Sequence, residues 1–153
     1  MPSSSPNPRI EIRIQSQPID VAAEYAAVTA PESGGRCIFT GCVRPEEAGR
    51  TIDHLDYEHY PGMAERELTK LAEEACARWG LNALRLVHRI GRICVGEESI
   101  VIITAAGHRA EAFEACRFMI EELKKKAPIW KAAPEDAHAK TQGRKKKMGE
   151  SQP

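Results

Sequence analysis

The chain predicts an α+β domain in which helices pack on a mostly antiparallel sheet. Strand-forming segments come as adjacent pairs rather than in strict alternation with helices, and two long segments repeat apolar residues at helical spacing. Ile10, Ile12 and Ile14 alternate with polar residues, the period of a half-buried strand. The expected order is β-α-β-β-α-β-β-α, with no internal repeat.

Residues 1–8 are Pro/Ser-rich and are expected to be disordered, so the fold starts near Arg9. A helix is expected over about residues 19–29, with Asp20 as N-cap, closed by Pro31 and a Gly34-Gly35 turn. Residues 36–43 are rich in strand formers, and Thr51–Tyr60 form a second strand with Leu55, Tyr57 and His59 on one face. Pro61 suits the first turn of a helix in which Met63, Leu68, Leu71, Ala75 and Trp79 recur until Gly80 ends it. Strands over about 83–90 and 99–106 are separated by Gly91 and Gly96. The last helix covers about 109–126, with Phe113, Cys116, Met119, Ile120 and Leu123 on one stripe. Pro128 lacks a backbone N–H and disfavours helix at Ala127, so this helix stops there.

A chain of 153 residues with 42% hydrophobic content suits one domain with its own core. No apolar run approaches the roughly 20 residues that span a bilayer, and the amino terminus does not read as a signal peptide, so a cytoplasmic protein is expected. The five cysteines, Cys37, Cys42, Cys76, Cys94 and Cys116, contain no C-x-x-C pair and read as reduced, mostly buried thiols. Cys42 stands two residues before Arg44, where a reactive thiolate competes with simple strand packing. The histidines have no metal-ligand spacing, and no metal is expected. The zero net charge hides a polarity. Residues 124–153 hold nine Lys/Arg against three acids, net +6, leaving −6 on residues 1–123. That end attracts anions. Its run Gly143-Arg-Lys-Lys-Lys147 has no interleaved aromatic residue, which argues for a solubilising end over a nucleic-acid site.

Three segments carry candidate chemistry. In Leu123-Lys-Lys-Lys-Ala-Pro-Ile-Trp-Lys131 the forced stop lets Lys131 fold back toward Lys124, and two neighbouring ammonium groups favour loss of one proton, which suits a nucleophile or proton carrier. The alternative is a solvated basic helix end. Gly107-His108-Arg109 stands where a strand gives way to a helix start, whose free N–H groups and dipole favour phosphate or carboxylate. Arg44 follows a strand in Phe39-Thr-Gly-Cys-Val-Arg44, and its fork suits phosphate. Arg109 and Lys124 are separated by roughly 22 Å of helix, so either the ligand is long or a second subunit supplies half the site.

Taken in order, Phe39-Thr-Gly-x-Val-Arg44, Glu58-His-Tyr-Pro-Gly-Met63, Val87-His-Arg-Ile-Gly91, His108-Arg109 and Leu123-Lys-x-Lys-Ala-Pro-Ile-Trp-Lys131 make the chain resemble the large, catalytic subunit of molybdopterin synthase, from about residue 10 to 134. The resemblance implies an α/β hammerhead-like domain with an added antiparallel β subdomain over residues 9–134, followed by a basic, flexible tail over 135–153. It implies a sulfurtransferase of molybdenum cofactor biosynthesis that converts cyclic pyranopterin monophosphate into molybdopterin by installing a dithiolene. The sulfur would arrive as a C-terminal thiocarboxylate on the Gly-Gly tail of a small ubiquitin-like subunit, so no cofactor is expected. A homodimer with one small subunit at each end, a heterotetramer, is implied as well. By motif position Lys124 and Lys131 would be catalytic. Arg44, His108, Arg109, Phe39 and Ile120 would bind substrate, with His108 and Arg109 crossing the dimer to face the other copy's Lys124.

Two departures stand out. Ala132 to Pro153 lacks the Trp-containing, acidic stretch usual in the family, leaving Lys140 and Arg144 as weak tail candidates, and Ala105-Ala106-Gly107 offers no hydroxyl before the His-Arg pair. The competing readings are a non-catalytic anion or nucleic-acid binding module working through the tail, and an inactive scaffold for the small partner.

Overall fold

The structure is a computed structural model, and it describes residues 7–132. The stretches containing Lys140, Arg144 and the tail run, and most of the Pro/Ser-rich start, lie outside the described residues. The elements are β1 (Arg9–Gln15), α1 (Val21–Ala26), β2 (Gly35–Cys42), β3 (Glu46–Glu47), β4 (Arg50–Thr51), β5 (His54–His59), α2 (Met63–Trp79), β6 (Ala83–Arg89), β7 (Gly91–Cys94), β8 (Glu98–Ala106), α3 (Arg109–Lys126) and β9 (Ile129–Lys131).

A four-stranded sheet runs β1-β6-β8-β2, parallel between β1 and β6 and antiparallel elsewhere. Its central strand β8 reads Ser-Ile-Val-Ile-Ile-Thr-Ala-Ala because both faces are covered. Ile100, Ile102 and Ala106 pack under α2 and α3 with Leu84, Leu86, Leu68, Met119 and Leu123. Val101, Ile103 and Ala105 pack on the opposite face with Ile19, Val28 and Ala30 around α1. The Thr104 hydroxyl donates to the Ala112 carbonyl at 2.7 Å and fastens α3 to the sheet. Beside α1, the buried Glu24 carboxylate accepts from Arg85 Nε at 2.7 Å and from Arg13, so its charge is compensated.

A second sheet, β7-β5-β9, is antiparallel and has its own small core of Val43, Leu55 and Ile93. This is the expected α+β architecture with an added antiparallel unit.

Several expectations need correction. The helix predicted over 19–29 is confined to 21–26, though Asp20 caps it by accepting from the Ala23 N–H at 3.0 Å. The strand predicted over 51–60 is split at Ile52-Asp53, because residues 46–51 form a separate hairpin. Pro61 precedes α2 instead of entering it; Gly62, at φ 84°, is the N-cap, and its N–H donates to Glu65. Phe113 leaves the predicted buried stripe and is 60% exposed, because α3 buries Ala112, Ala115 and Cys116 there. Of the thiols, only Cys76 and Cys116 are buried, while Cys42 and Cys94 are exposed. Burial pushes the Cys76 thiol up to about 11 and the Cys116 thiol up to about 12, so neither is a nucleophile at neutral pH.

Candidate active site

The site forms where the end of the large sheet meets the small one. Ala127 takes an extended conformation (ψ 135°) and ends α3 one residue before Pro128, as the proline requires. Ile129, Trp130 and Lys131 then become β9 by pairing with His59, Glu58 and Tyr57 of β5, and the Pro128 carbonyl accepts from the Tyr60 N–H at 3.1 Å. The reversal brings Lys131 back beside the helix end that carries Lys124. Both lysines line one cavity of about 490 Å³, a volume suited to a small ligand.

The opposite wall comes from β2. Phe39, half-buried, packs against the main core, and the strand breaks register between Gly41 and Cys42, turning the chain outward so that Arg44 lies on the same cavity. Gly41 has a spatial reason. A Cβ there would lie 3.0 Å from the Ile100 methyl. Ile120 of α3, Leu55 and Tyr57 of β5, and His88 of β6 complete the floor.

Lys131 Nζ donates to Glu47 Oε2 at 2.7 Å, so it is paired with a carboxylate while sharing the cavity with Lys124. Trp130 is 45% exposed, and its indole N–H donates to Glu58 Oε1 at 3.1 Å. Lys124 and Arg44, by contrast, form no ion pair among the described residues, although each lines the cavity. The cavity therefore keeps positive charge uncompensated by protein carboxylates, which favours an anionic ligand and developing oxyanions.

His108 and Arg109 stand elsewhere. They are exposed, at the N-terminal end of α3 and outside this cavity. Gly34 and Gly35 let β2 approach them closely. A Cβ at Gly34 would lie 2.5 Å from the Gly107 carbonyl oxygen, and one at Gly35 would lie 2.9 Å from Arg109 Cα. Of the seven residues singled out from sequence, Lys124, Lys131, Arg44, Phe39 and Ile120 come together in one chain, and His108 and Arg109 do not join them.

Sequence reasoning passed over Glu47, Tyr57 and His88 as site residues. Glu47 ends the two-residue strand β3, whose path only the fold defines. Tyr57 is expected on one face with Leu55 and His59; Leu55 and Tyr57 line the cavity floor, and His59 does not. His88 was visible only inside Val87-His-Arg-Ile-Gly91. It is buried, its Nδ1 lies 2.8 Å from the Arg89 carbonyl, and its ring meets Tyr57 edge-on at 5.3 Å. Burial depresses its pKa to about 4, so the ring is neutral at pH 7.

Among the described residues no group of three or more His, Cys, Asp or Glu stands together to hold a metal ion, and no helix is long and apolar enough to cross a membrane.

The MoaE protein family model matches residues 14–126. The molybdopterin synthase catalytic subunit of Mesorhizobium japonicum is 44% identical over 122 residues, spanning 78% of this chain and 76% of that protein. Among solved structures, the molybdopterin biosynthesis MoaE protein from Burkholderia ambifaria has a TM-score of 0.73 at 38% identity, covering 82% of this chain and 85% of that one. A chain in the complex of subunits 1 and 2 of molybdopterin-converting factor from Helicobacter pylori has a TM-score of 0.64 at 26% identity, covering 80% and 82%. With its ordered motifs, its α+β fold and a match over most of its length, the chain belongs to the MoaE protein family.

Proposed function

We propose that this chain is the catalytic subunit of a molybdopterin synthase, a sulfurtransferase of molybdenum cofactor biosynthesis acting in the cytoplasm. It moves sulfur from the C-terminal thiocarboxylate of a small partner onto cyclic pyranopterin monophosphate and so forms the dithiolene of molybdopterin. The observation that carries the reading is the convergence of Lys124, Lys131, Arg44, Phe39 and Ile120 on one cavity with two unneutralised cations. The complex of two converting-factor subunits from Helicobacter pylori supports a small protein partner. The binding-module alternative, which rests on the tail, finds no support among the relatives.

Thiocarboxylate and cyclic phosphate both bring negative charge, so attraction to Lys124 and Arg44 holds the reactants and stabilises the charge that builds on oxygen during transfer. Lys124, which has no carboxylate partner among the described residues, is assigned to the thiocarboxylate carbonyl. Lys131, held in place by Glu47 at 2.7 Å, is assigned to proton transfer, because its ammonium group can give a proton to the oxygen or sulfur on which negative charge builds. His108 and Arg109 of a second copy bind the phosphate, which removes the helix-length problem. Sulfur enters as substrate, so the chain needs no cofactor of its own.

The test mixes the purified chain with thiocarboxylated small subunit and cyclic pyranopterin monophosphate and measures dithiolene product. Lys124→Ala is expected to lower turnover by about 10²-fold or more with the partner still bound, and deletion of residues 140–153 is expected to do far less. Absence of product from the wild-type chain with the partner bound sinks the catalytic reading in favour of a scaffold. Loss of substrate binding on tail deletion favours the binding module.

A further inference from the structure

His88 lines the cavity, and the reading above leaves its chemistry unused. Its place follows from the sheet register. His88 pairs with Ile100, and Ile100 pairs with Gly41, so the three form a row across β6, β8 and β2 at the sheet end that opens on the cavity. Gly41 contributes no side chain to that row, and the imidazole is the row's only polar group.

The ring is fixed on two sides. A carbonyl can only accept, so the 2.8 Å contact between His88 Nδ1 and the Arg89 oxygen requires the proton on Nδ1. In a neutral ring that leaves a bare lone pair on Nε2. The Tyr57 ring, edge-on at 5.3 Å, sets the plane. Nε2 itself has no hydrogen-bond partner among the described residues and is not sealed away as an orphaned buried atom. A side chain that is 4% exposed, anchored at one nitrogen and unpartnered at the other, with its ring on the cavity wall, is a preorganised acceptor.

We propose that His88 Nε2 is a substrate-binding acceptor for a ring N–H of the pterin, fixing the orientation in which the substrate meets the thiocarboxylate. The other polar groups of the cavity divide the remaining work. Lys124, Lys131 and Arg44 are donors only and suit the anionic parts of the reactants, and Ser99 Oγ already donates to the Gly41 carbonyl at 3.2 Å. A neutral nitrogen among cations therefore separates the uncharged donor edge of the pterin from its phosphate. Burial holds the ring neutral. The titratable groups lining the same cavity are Cys42 of β2, Arg44, Glu47 of β3, Tyr57 of β5, Lys124 of α3 and Lys131 of β9, and the carboxylate of Glu47 is already taken by Lys131. His59 of β5, outside the cavity lining, pushes the ring in the same direction as burial.

The assignment rests on the molybdopterin synthase reading and is tested by two opposed substitutions in the full chain with its partner bound. His88→Asn places an amide N–H at the Nδ1 position, keeping the anchor and losing the acceptor. His88→Gln places an amide oxygen near the Nε2 position, keeping the acceptor and losing the anchor. The expectation is that His88→Asn raises KM for the pterin phosphate about tenfold with kcat less affected, the loss of one hydrogen bond, while His88→Gln stays within about threefold of wild type in KM. A purely structural role predicts the reverse order, and that order, or unchanged KM in His88→Asn, overturns the proposal. A second readout separates this from failure of the parent reading. In ¹⁵N-histidine NMR of the wild-type chain, adding cyclic pyranopterin monophosphate alone should move the Nε2 resonance of His88 and leave Nδ1 in place. An unmoved Nε2 at saturating pterin phosphate overturns the assignment even if turnover is intact; a moved Nε2 upholds it even if no dithiolene forms.

Discussion

His88 makes the native state intolerant of acid in a window of its own. Its folded pKa of about 4 lies below the ordinary 6.5, so above pH 6.5 the ring is neutral whether the chain is folded or not. As the pH falls below 6.5 the unfolded chain takes up a proton that the folded chain refuses, and stability is lost progressively down to about pH 4. By pH 4.5 the loss amounts to about 2–3 kcal/mol. Glu97 acts later. A hydrogen bond from the Cys94 N–H holds its carboxyl below the ordinary 4.5, so the stability it contributes is present above 4.5 and is lost only beneath it. Urea unfolding midpoints measured between pH 7 and 4.5 should therefore fall steeply in the wild-type chain and less steeply in His88→Gln. Parallel slopes would mean that the ring is protonated in the folded state.

Among the elements, the turn between α3 and β9 decides whether the two lysines share a cavity. Pro128 forbids a further helical turn, and Ile129 and Lys131 are then captured by β5. Pro128→Ala removes that prohibition, so α3 can compete with β9 for residues 127–130. The expected result is a loss of stability of no more than about 1 kcal/mol, because no core side chain is touched. Turnover should fall by about tenfold or more, since a displacement of order 1 Å in a catalytic group is already costly. The pair of measurements matters. Equal turnover in the variant would show that strand pairing alone positions Lys131.

Considered as a whole molecule, one chain keeps the two ends of the proposed constellation apart, because α3 is 18 residues long and carries Arg109 and Lys124 at opposite ends. If the site is completed between two copies, Arg109→Ala and Lys124→Ala damage different contributors to each site. Mixing the two inactive proteins and allowing subunits to exchange should restore activity, because a mixed dimer has one site with both residues intact. With random exchange the recovery is expected to be about a quarter of wild type, half the dimers being mixed and each having one good site. Mixtures that stay inactive despite proven exchange would place all the essential groups within one chain.

Much of this was legible in the order of residues. The Ile10-Ile12-Ile14 alternation, the apolar repeat of α2 with Gly80 at its end, the Asp20 cap and the stop at Pro128 are local signals, set by neighbours a few positions away, and the structure follows them. The basic and aromatic motifs marked candidate site residues because their types limit their chemistry. Only the fold could decide that Phe39, Arg44, Ile120, Lys124 and Lys131 meet in one space, that Glu47 closes on Lys131, and that Phe113 faces outward. Those facts depend on strand partners 34 to 74 positions apart, in the pairs β2–β8, β5–β7 and β5–β9, and on which helix face the sheet covers. The neutral ring of His88 belongs to the same class. A residue's identity sets which protons it can hold, but burial and a carbonyl from the folded backbone set which one it keeps.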